Sequence, residues 1–363
     1  MKIIQARNVH QALPKAVHLL QQYGVDRNSR VGPVKCAPWP VATVYEHPQE
    51  RVVFWPQRDA NPAFHFYESL WMLAGRHDLA PLLRYVKDFG KFSDDGKTLS
   101  SAYGYEWRRA HDEDQLIVIA QRLRADPDDR RCVLSMWDPA YHLGADWKDV
   151  PCNTTAVFQR SLEGCLDLTV FCRSNDIVWG AYGANAVHFS VLQEYMATWI
   201  GCPIGRYTQV SVNWHAYPET LRPIEQLSRE VTRGLYAVPT PIIDPYCSGE
   251  VHVLPFARAG EPGDRTIQRL DRQIEWLLLC ADDGFRTPLQ ADADQWFTMA
   301  YAVLRAHEHW RMLTAPERYD RALETLQIAD PRADFIVAMR QWIERRYAVW
   351  EAKMAQERTT HGG

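Results

Sequence analysis

Residues 151–176 read PCNTTAVFQRSLEGCLDLTVFCRSND, and both halves of this stretch have the texture of strands. Thr155–Arg160 and Cys165–Cys172 are rich in Val, Phe, Leu and Thr, with Leu162-Glu163-Gly164 between them, so the spacing predicts a hairpin. A hairpin brings Pro151-Cys152-Asn153, at the mouth of one strand, beside Arg173-Ser174 at the end of the other. That pairing has chemical meaning. A cysteine attacks carbon as its thiolate, and a nearby guanidinium favours the thiolate while also binding phosphate. Alone, a single cysteine is more often structural.

Working outward, Cys132–Trp137 reads as one more strand, preceded by Arg130-Arg131, whose plain reading is a solvated hinge. Asn185 to Ile200 has helical periodicity through Phe189, Leu192, Met196 and Trp199, and Gln209–Trp214 reads as a strand. His215-Ala216-Tyr217 after it offers two alternating polar tips suited to a sugar hydroxyl. Upstream come a helix over about 9–23, a basic turn Arg27–Gly32 that includes Arg30, and extended runs Val41–Tyr45 and Val52–Trp55. A helical pattern then runs from Pro62 to Gly75. Glu68 sits in its apolar part, either as a surface glutamate or as a buried carboxylate with a raised pKa. Asp94-Asp95-Gly96-Lys97 reads as a loop.

Beyond residue 218 the texture changes. A connection with Pro239, Pro241 and Pro245 leads to amphipathic helices at about 265–281, 292–312, 318–328 and 332–352, with Gln356–Gly363 frayed. The reading is α+β: a body over 1–220 that carries the candidate chemistry, and a mostly helical portion over 221–363 with no assignable motif.

The chain has 363 residues, 46% hydrophobic and 24% charged, which excludes the disordered and fibrous classes. A formal charge of −4 argues against direct nucleic-acid binding, though a local Arg cluster suffices for a small anion. MKIIQARNVH lacks a signal-peptide apolar run, and no stretch approaches a membrane span, so a cytoplasmic protein is expected. Eight cysteines without a CxxC pair argue against a structural zinc site and suit a reducing compartment; no metal is expected.

The ordered array from Arg30 to Tyr217 resembles the thymidylate synthase superfamily, which includes the pyrimidine nucleotide hydroxymethylases. It comprises Glu68-Ser69-Leu70-Trp71-Met72-Leu73-Ala74-Gly75, Ala102-Tyr103-Gly104-Tyr105-Glu106-Trp107-Arg108, Arg130-Arg131, Pro151-Cys152, Gln159, Arg173-Ser174-Asn175-Asp176 and His215-Ala216-Tyr217. The resemblance implies a mixed sheet packed by helices and a homodimer formed through the sheet. It implies attack of Cys152 on C6 of a pyrimidine 5′-nucleotide, so that C5 can capture the methylene of 5,10-methylenetetrahydrofolate. Without a covalent adduct that breaks the ring's conjugation, C5 is too poor a nucleophile.

By the same resemblance, Arg173, Arg30, Ser174 and the Arg130-Arg131 pair hold the phosphate, the pair being donated across the dimer. Glu68 manages proton transfers through ordered water, and Tyr103 lies near the C5 proton. His215 and Tyr217 hold the 3′-hydroxyl, Gln159 belongs to the base and sugar set, and Asp176 contacts the pterin. Phe89 and Phe92 fall roughly where family members keep tryptophans near the folate.

Departures from the pattern bear on the reaction. Asn153 follows the nucleophile where thymidylate synthases have His, and Arg-Ser-Asn-Asp looks more like the hydroxymethylases. The end, Ala355–Gly363, lacks the small apolar plug that closes a thymidylate synthase. A looser site favours water over hydride at the exocyclic methylene, hence a 5-hydroxymethyl product with release of tetrahydrofolate; reductive methylation is the alternative. A one-residue insertion within Ala181-Tyr182-Gly183-Ala184 brings Asn185 to the base-reading position, with His188 as a second candidate. An amide there suits dUMP and, turned over, dCMP. Such a product suits a virus that modifies its DNA, acting in the host cytoplasm. Rival readings are a cysteine hydrolase pairing Cys152 with His215, and a non-catalytic nucleotide-binding homologue.

Overall fold

In the computed structural model, one mixed sheet of eight strands organises the chain, and the structure describes residues 1–232, 242–256, 263–290 and 293–361. The strands are β1 (Lys2–Ala6), β2 (Val25–Ser29), β3 (Gly32–Cys36), β4 (Val41–Tyr45), β5 (Val133–Ser135), β6 (Asn153–Arg160), β7 (Leu166–Asp176) and β8 (Ile204–Ala216). Their order in space is β1-β4-β8-β7-β6-β5, with β3 joining β2 to the end of β8. β6 and β7 form the expected antiparallel hairpin, and β7 runs parallel to β8.

The longer helices are α1 (Val9–Tyr23), α2 (Pro62–Leu73), α3 (Gln115–Ala125), α4 (Asn185–Ile200), α5 (Asp264–Asp282), α6 (Gln295–Met312), α7 (Glu317–Leu326) and α8 (Asp334–His361). Caps set their starts. Asn61 accepts from the Phe64 N–H ahead of Pro62 to begin α2, and Asp114 accepts from Leu116 and Ile117 to begin α3. Gly201, at φ 83°, ends α4 in the left-handed conformation that favours glycine.

Alternation along β7 separates the sheet's faces: Leu166, Leu168, Val170 and Cys172 are buried, while Phe171 and Arg173 are exposed. The buried face lies against α4, whose residues are almost all buried, and α2 packs on α4 in turn. On the other face Ile3, Val133, Phe171 and Val212 are all exposed. Their register sets them on one side of the sheet, which leaves these apolar side chains exposed among the described residues.

The C-terminal helices continue the same core. Phe66 of α2 meets Trp296 of α6 at 4.9 Å and Phe335 of α8 at 4.5 Å between ring centroids. Tyr195 and Arg108 both reach Asp271 of α5, and Trp199 donates to Asp264 at 2.9 Å. Glu194 of α4 pairs with buried Arg51 and accepts from the Phe256 N–H at 2.8 Å. The described C-terminal helices α5, α6 and α8 therefore buttress the two helices behind the sheet.

Three sequence expectations need correction. Val52–Trp55 is extended but joins no strand, because the Val52 N–H goes to Tyr246 Oη and the Phe54 N–H to His10 Nδ1. The basic turn at 27–32 is the tip of the β2–β3 hairpin, turned at Gly32 with φ 141°. α8 continues to His361 where fraying from Gln356 is expected; Pro239, Pro241 and the last two residues lie outside the described residues.

Candidate active site

Two strand ends build the site. The Arg173 N–H donates to the Cys152 carbonyl at 2.8 Å, and Asn153 pairs with Cys172 in the register that follows. Arg173 then folds back: Nε donates to the Pro151 carbonyl at 2.8 Å and Nη2 to the Val150 carbonyl at 2.9 Å. Its guanidinium also lies 5.7 Å from the Trp137 ring. Burial raises the pKa of the Cys152 thiol, opposed by the charges of Arg173 and Arg30 and reinforced by Asp149. Arg30 reaches this region from the β2–β3 tip, with Nη2 on the Lys148 carbonyl at 3.4 Å.

Tyr103 holds the backbone at Cys152. Its buried hydroxyl accepts from the backbone N–H groups of Cys152 and Asn153, at 3.2 Å each. Burial also holds that phenol well above its ordinary pKa, so it is a neutral hydroxyl. The short helix Tyr103–Arg108 rests directly on α2. A Cβ on Gly104 would lie 2.0 Å from the Met72 carbonyl oxygen, so glycine is required for the approach. Glu68, on the same α2, is buried, and its Oε2 lies 3.1 Å from His188 Nε2 of α4 without hydrogen-bond geometry.

The insertion before α4 has a structural counterpart. Ile177–Ala184 forms a π-helical turn, broken at Gly183 (φ −128°, ψ −110°). A π-turn accommodates an extra residue where an α-turn cannot, and this one delivers Asn185 to the start of α4. There Asn185 Oδ1 accepts from Asn153 Nδ2 at 3.1 Å. Asp176 caps the π-turn, its Oδ1 accepting from Val178 at 2.8 Å and Trp179 at 2.6 Å; burial is the main cause of its raised pKa.

His215, at the end of β8, stands opposite Asp176 in register and edge-on to Tyr217 at 5.5 Å. Ser174 lies one residue beyond Arg173. Phe89 and Phe92 pack edge-to-face at 5.5 Å, Phe89 also touching Phe64 of α2. The loop that follows them touches the segment leading to Cys152, since Lys148 Nζ donates to the Ser93 carbonyl at 3.0 Å.

Three expected residues are not gathered here. Gln159 is exposed near the far end of β6, paired with Asp167, about 20 Å along the strand from Cys152. Arg130 and Arg131 are exposed just before the edge strand β5, and Arg131 is held by Asp129 at 2.9 Å. Within one protomer the pair does not meet Arg173. Conversely, Asn175 and Gln209 join the Asn153–Asn185 amides; Asn175 belongs to the Arg-Ser-Asn-Asp motif but had no role assigned to it, and no sequence signal distinguishes Gln209 from an ordinary strand residue. Among the described residues no group of three His, Cys, Asp or Glu could hold a metal ion, and no helix is long and apolar enough to cross a membrane.

A thiol within the field of two guanidiniums, on a hairpin backed by a carboxylate-bearing helix, is the arrangement expected of a transferase that uses a thiolate on an anionic substrate. The family model described as Thymidylate synthase matches residues 24–248, so the chain belongs to the thymidylate synthase family of folate-dependent one-carbon transferases. A protein of Pseudomonas phage M6 named deoxyuridylate hydroxymethyltransferase is 44% identical over 357 residues, 98% of this chain and 97% of the relative. A second protein of that name, from Bacillus phage SP01, is 40% identical over 189 residues, 49% of each chain. In fold, the chain matches the crystal structure of thymidylate synthase from T4 phage with a TM-score of 0.51 at 20% identity, covering 60% of this chain and 79% of that one.

Proposed function

We propose that this chain hydroxymethylates dUMP at C5, with 5,10-methylenetetrahydrofolate supplying the one-carbon unit. The observation that carries the reading is the hydrogen bond between Asn153, adjacent to the nucleophile, and Asn185. It joins an attacking thiol to an amide able to read a pyrimidine edge. The near-full-length likeness to a phage deoxyuridylate hydroxymethyltransferase supports both the base and the product.

In this reading Arg173, Arg30 and Ser174 bind the phosphate, and His215 with Tyr217 takes the 3′-hydroxyl. Cys152 Sγ bonds to C6, moving the 5,6 double-bond electrons towards C5 and O4. Tyr103 keeps the attacking loop in place, and Glu68 orders water above the base and relays its protons. C5 would bond to the methylene carbon, and loss of the C5 proton with cleavage of that carbon's bond to the folate nitrogen would release tetrahydrofolate; water then adds its hydroxyl to the exocyclic carbon, its proton passing to the Glu68 relay, and the thiolate leaves C6 and restores the double bond. His188, against Glu68, is suited to orienting that water.

The residues present fit a folate. Asp176 Oδ2 is buried with no hydrogen-bond partner among the described residues, which suits the N–H donors of a pterin. Trp179 beside it is 59% exposed, and Phe89 with Phe92 adds further aromatic surface.

A homodimer through the sheet is part of the reading. The exposed face with Ile3, Val133, Phe171 and Val212 supports it, as does the distance of the Arg130-Arg131 pair from its own Arg173. Host cytoplasm is the expected place of action.

Mass spectrometry after incubation with methylenetetrahydrofolate and dUMP tests the function. A product heavier by CH2O, with tetrahydrofolate released, is expected. A gain of CH2 with dihydrofolate formed makes the protein a methylating synthase, and no product refutes the catalytic reading. Sedimentation tests the dimer.

A further inference from the structure

Asn185 is one link in a chain of amides. Gln209 Nε2 donates to Asn153 Oδ1 at 3.3 Å, Asn153 Nδ2 to Asn185 Oδ1 at 3.1 Å, Asn185 Nδ2 to Asn175 Oδ1 at 3.1 Å, and Asn175 Nδ2 to Ser211 Oγ at 2.9 Å. All five side chains are buried. Gly180 closes over the middle, where a Cβ would lie 2.4 Å from Asn175 Oδ1.

Such a chain has a polarity. Each amide donates on one side and accepts on the other, and turning one obliges its neighbours to turn. Both directions are chemically possible. At one end the Ser211 hydroxyl can donate as well as accept; at the other, Gln209 Oε1 has no partner among the described residues.

Asn185 spends one lone pair of Oδ1 on Asn153 and one N–H of Nδ2 on Asn175, keeping one of each. Uracil offers a donor at N3 and an acceptor at O4; cytosine offers an acceptor at N3 and a donor at N4. Reversing the chain exchanges Oδ1 and Nδ2 of Asn185 and so exchanges the base it can pair with.

We infer that the direction of hydrogen bonding along Gln209–Asn153–Asn185–Asn175–Ser211 selects uracil over cytosine, with Asn153 and Asn175 acting as positioning residues for Asn185. This rests on the reading that Asn185 meets the base.

Two chemically identical substitutions have opposite consequences. An ionised carboxylate only accepts. In Asn153→Asp, Gln209 still donates to residue 153, so Asn185 must donate to it too, which turns the Asn185 and Asn175 amides. In Asn175→Asp, residue 175 accepts from both Asn185 and Ser211, which locks the direction seen here.

The experiment measures kcat/KM for dCMP and dUMP in the full-length variants at alkaline pH, where the introduced carboxylates are ionised. Asn153→Asp should raise the dCMP:dUMP ratio by roughly tenfold or more, because mispaired buried donors and acceptors discriminate at least that strongly. Asn175→Asp should leave the ratio unchanged or lower it. An unchanged ratio in Asn153→Asp, or an equal rise in both, overturns the inference; the latter would make added charge the cause.

If Asn153→Asp does not fold or turn over, Gln209→Glu forces the same reversal from the end of the chain. Competition between dCMP and dUMP for binding then reads it, and an unchanged binding ratio overturns the inference equally. Asn185→Asp separates the two levels. If it leaves the ratio unchanged, Asn185 does not meet the base, and the reading beneath this one fails.

Discussion

Arg173 is bonded to the strand that carries Cys152 at three successive carbonyls: its N–H to Cys152, its Nε to Pro151 and its Nη2 to Val150. Two of the five guanidinium N–H groups are thus spent on shaping the nucleophile's loop, and three stay available for a phosphate. One side chain therefore sets the thiol's position and its charge environment, and in the proposed mechanism it also anchors the nucleotide.

Arg173→Lys keeps the charge and loses the forked geometry. KM for the nucleotide should rise by about tenfold or more, while loop bonds worth about 1–2 kcal/mol are lost. Steady-state kinetics and hydrogen exchange over 149–153 check both, and an unchanged KM would remove Arg173 from the phosphate site.

Cys152→Ala should abolish turnover and leave dUMP binding largely intact, because the proposed phosphate anchors Arg173, Arg30 and Ser174 are side chains other than the thiol. Calorimetric titration of the variant reads the binding, and any surviving turnover contradicts the mechanism.

The thiol's pH dependence follows from its surroundings. Burial raises the Cys152 pKa, so little thiolate is present at neutral pH, and alkylation of the free enzyme should speed up as pH rises beyond the ordinary thiol range. Arg173→Ala removes the main lowering charge and should move that profile to higher pH. Rates of iodoacetamide labelling across pH give the answer.

Tyr103→Phe leaves two backbone N–H groups without their acceptor. Each orphaned donor costs about 1–3 kcal/mol if it stays buried, so the loop should loosen and kcat should fall about a hundredfold. A crystal structure of the variant would show the displaced Cys152.

Asp334 is fully buried with a carboxyl pKa raised to about 6, chiefly by burial, while the Tyr246 hydroxyl donates to it at 2.8 Å. The folded state binds this proton more tightly than the unfolded chain, so stability is greatest below the unfolded pKa and falls as pH rises to about 6. The loss is on the order of 3 kcal/mol. Asp334→Asn should flatten that part of the curve, as urea titrations at several pH values will show.

The hairpin of β6 and β7 was legible because its period-two alternation and glycine turn are local properties of the chain, and α4 likewise through its apolar spacing. Val52–Trp55 looked like a strand for the same local reasons and is not one. Its N–H groups are claimed by His10 and Tyr246, residues 44 and 194 positions away. Gln159 lies on β6, the strand that Cys152 immediately precedes, yet the strand's own length carries it out of reach.

The chain alone pointed to Cys152 and its neighbouring Arg173 through residue chemistry and the reach of one hairpin, and the reaction type came from the ordered motifs that resemble the thymidylate synthase superfamily. Which way Asn185 faces was decided only in three dimensions. Its amide is oriented by Asn153 on β6, Asn175 on β7 and, at the ends of the chain, Gln209 and Ser211 on β8. A hydrogen bond's direction there depends on every donor and acceptor across three strands, and no single stretch of sequence contains them all.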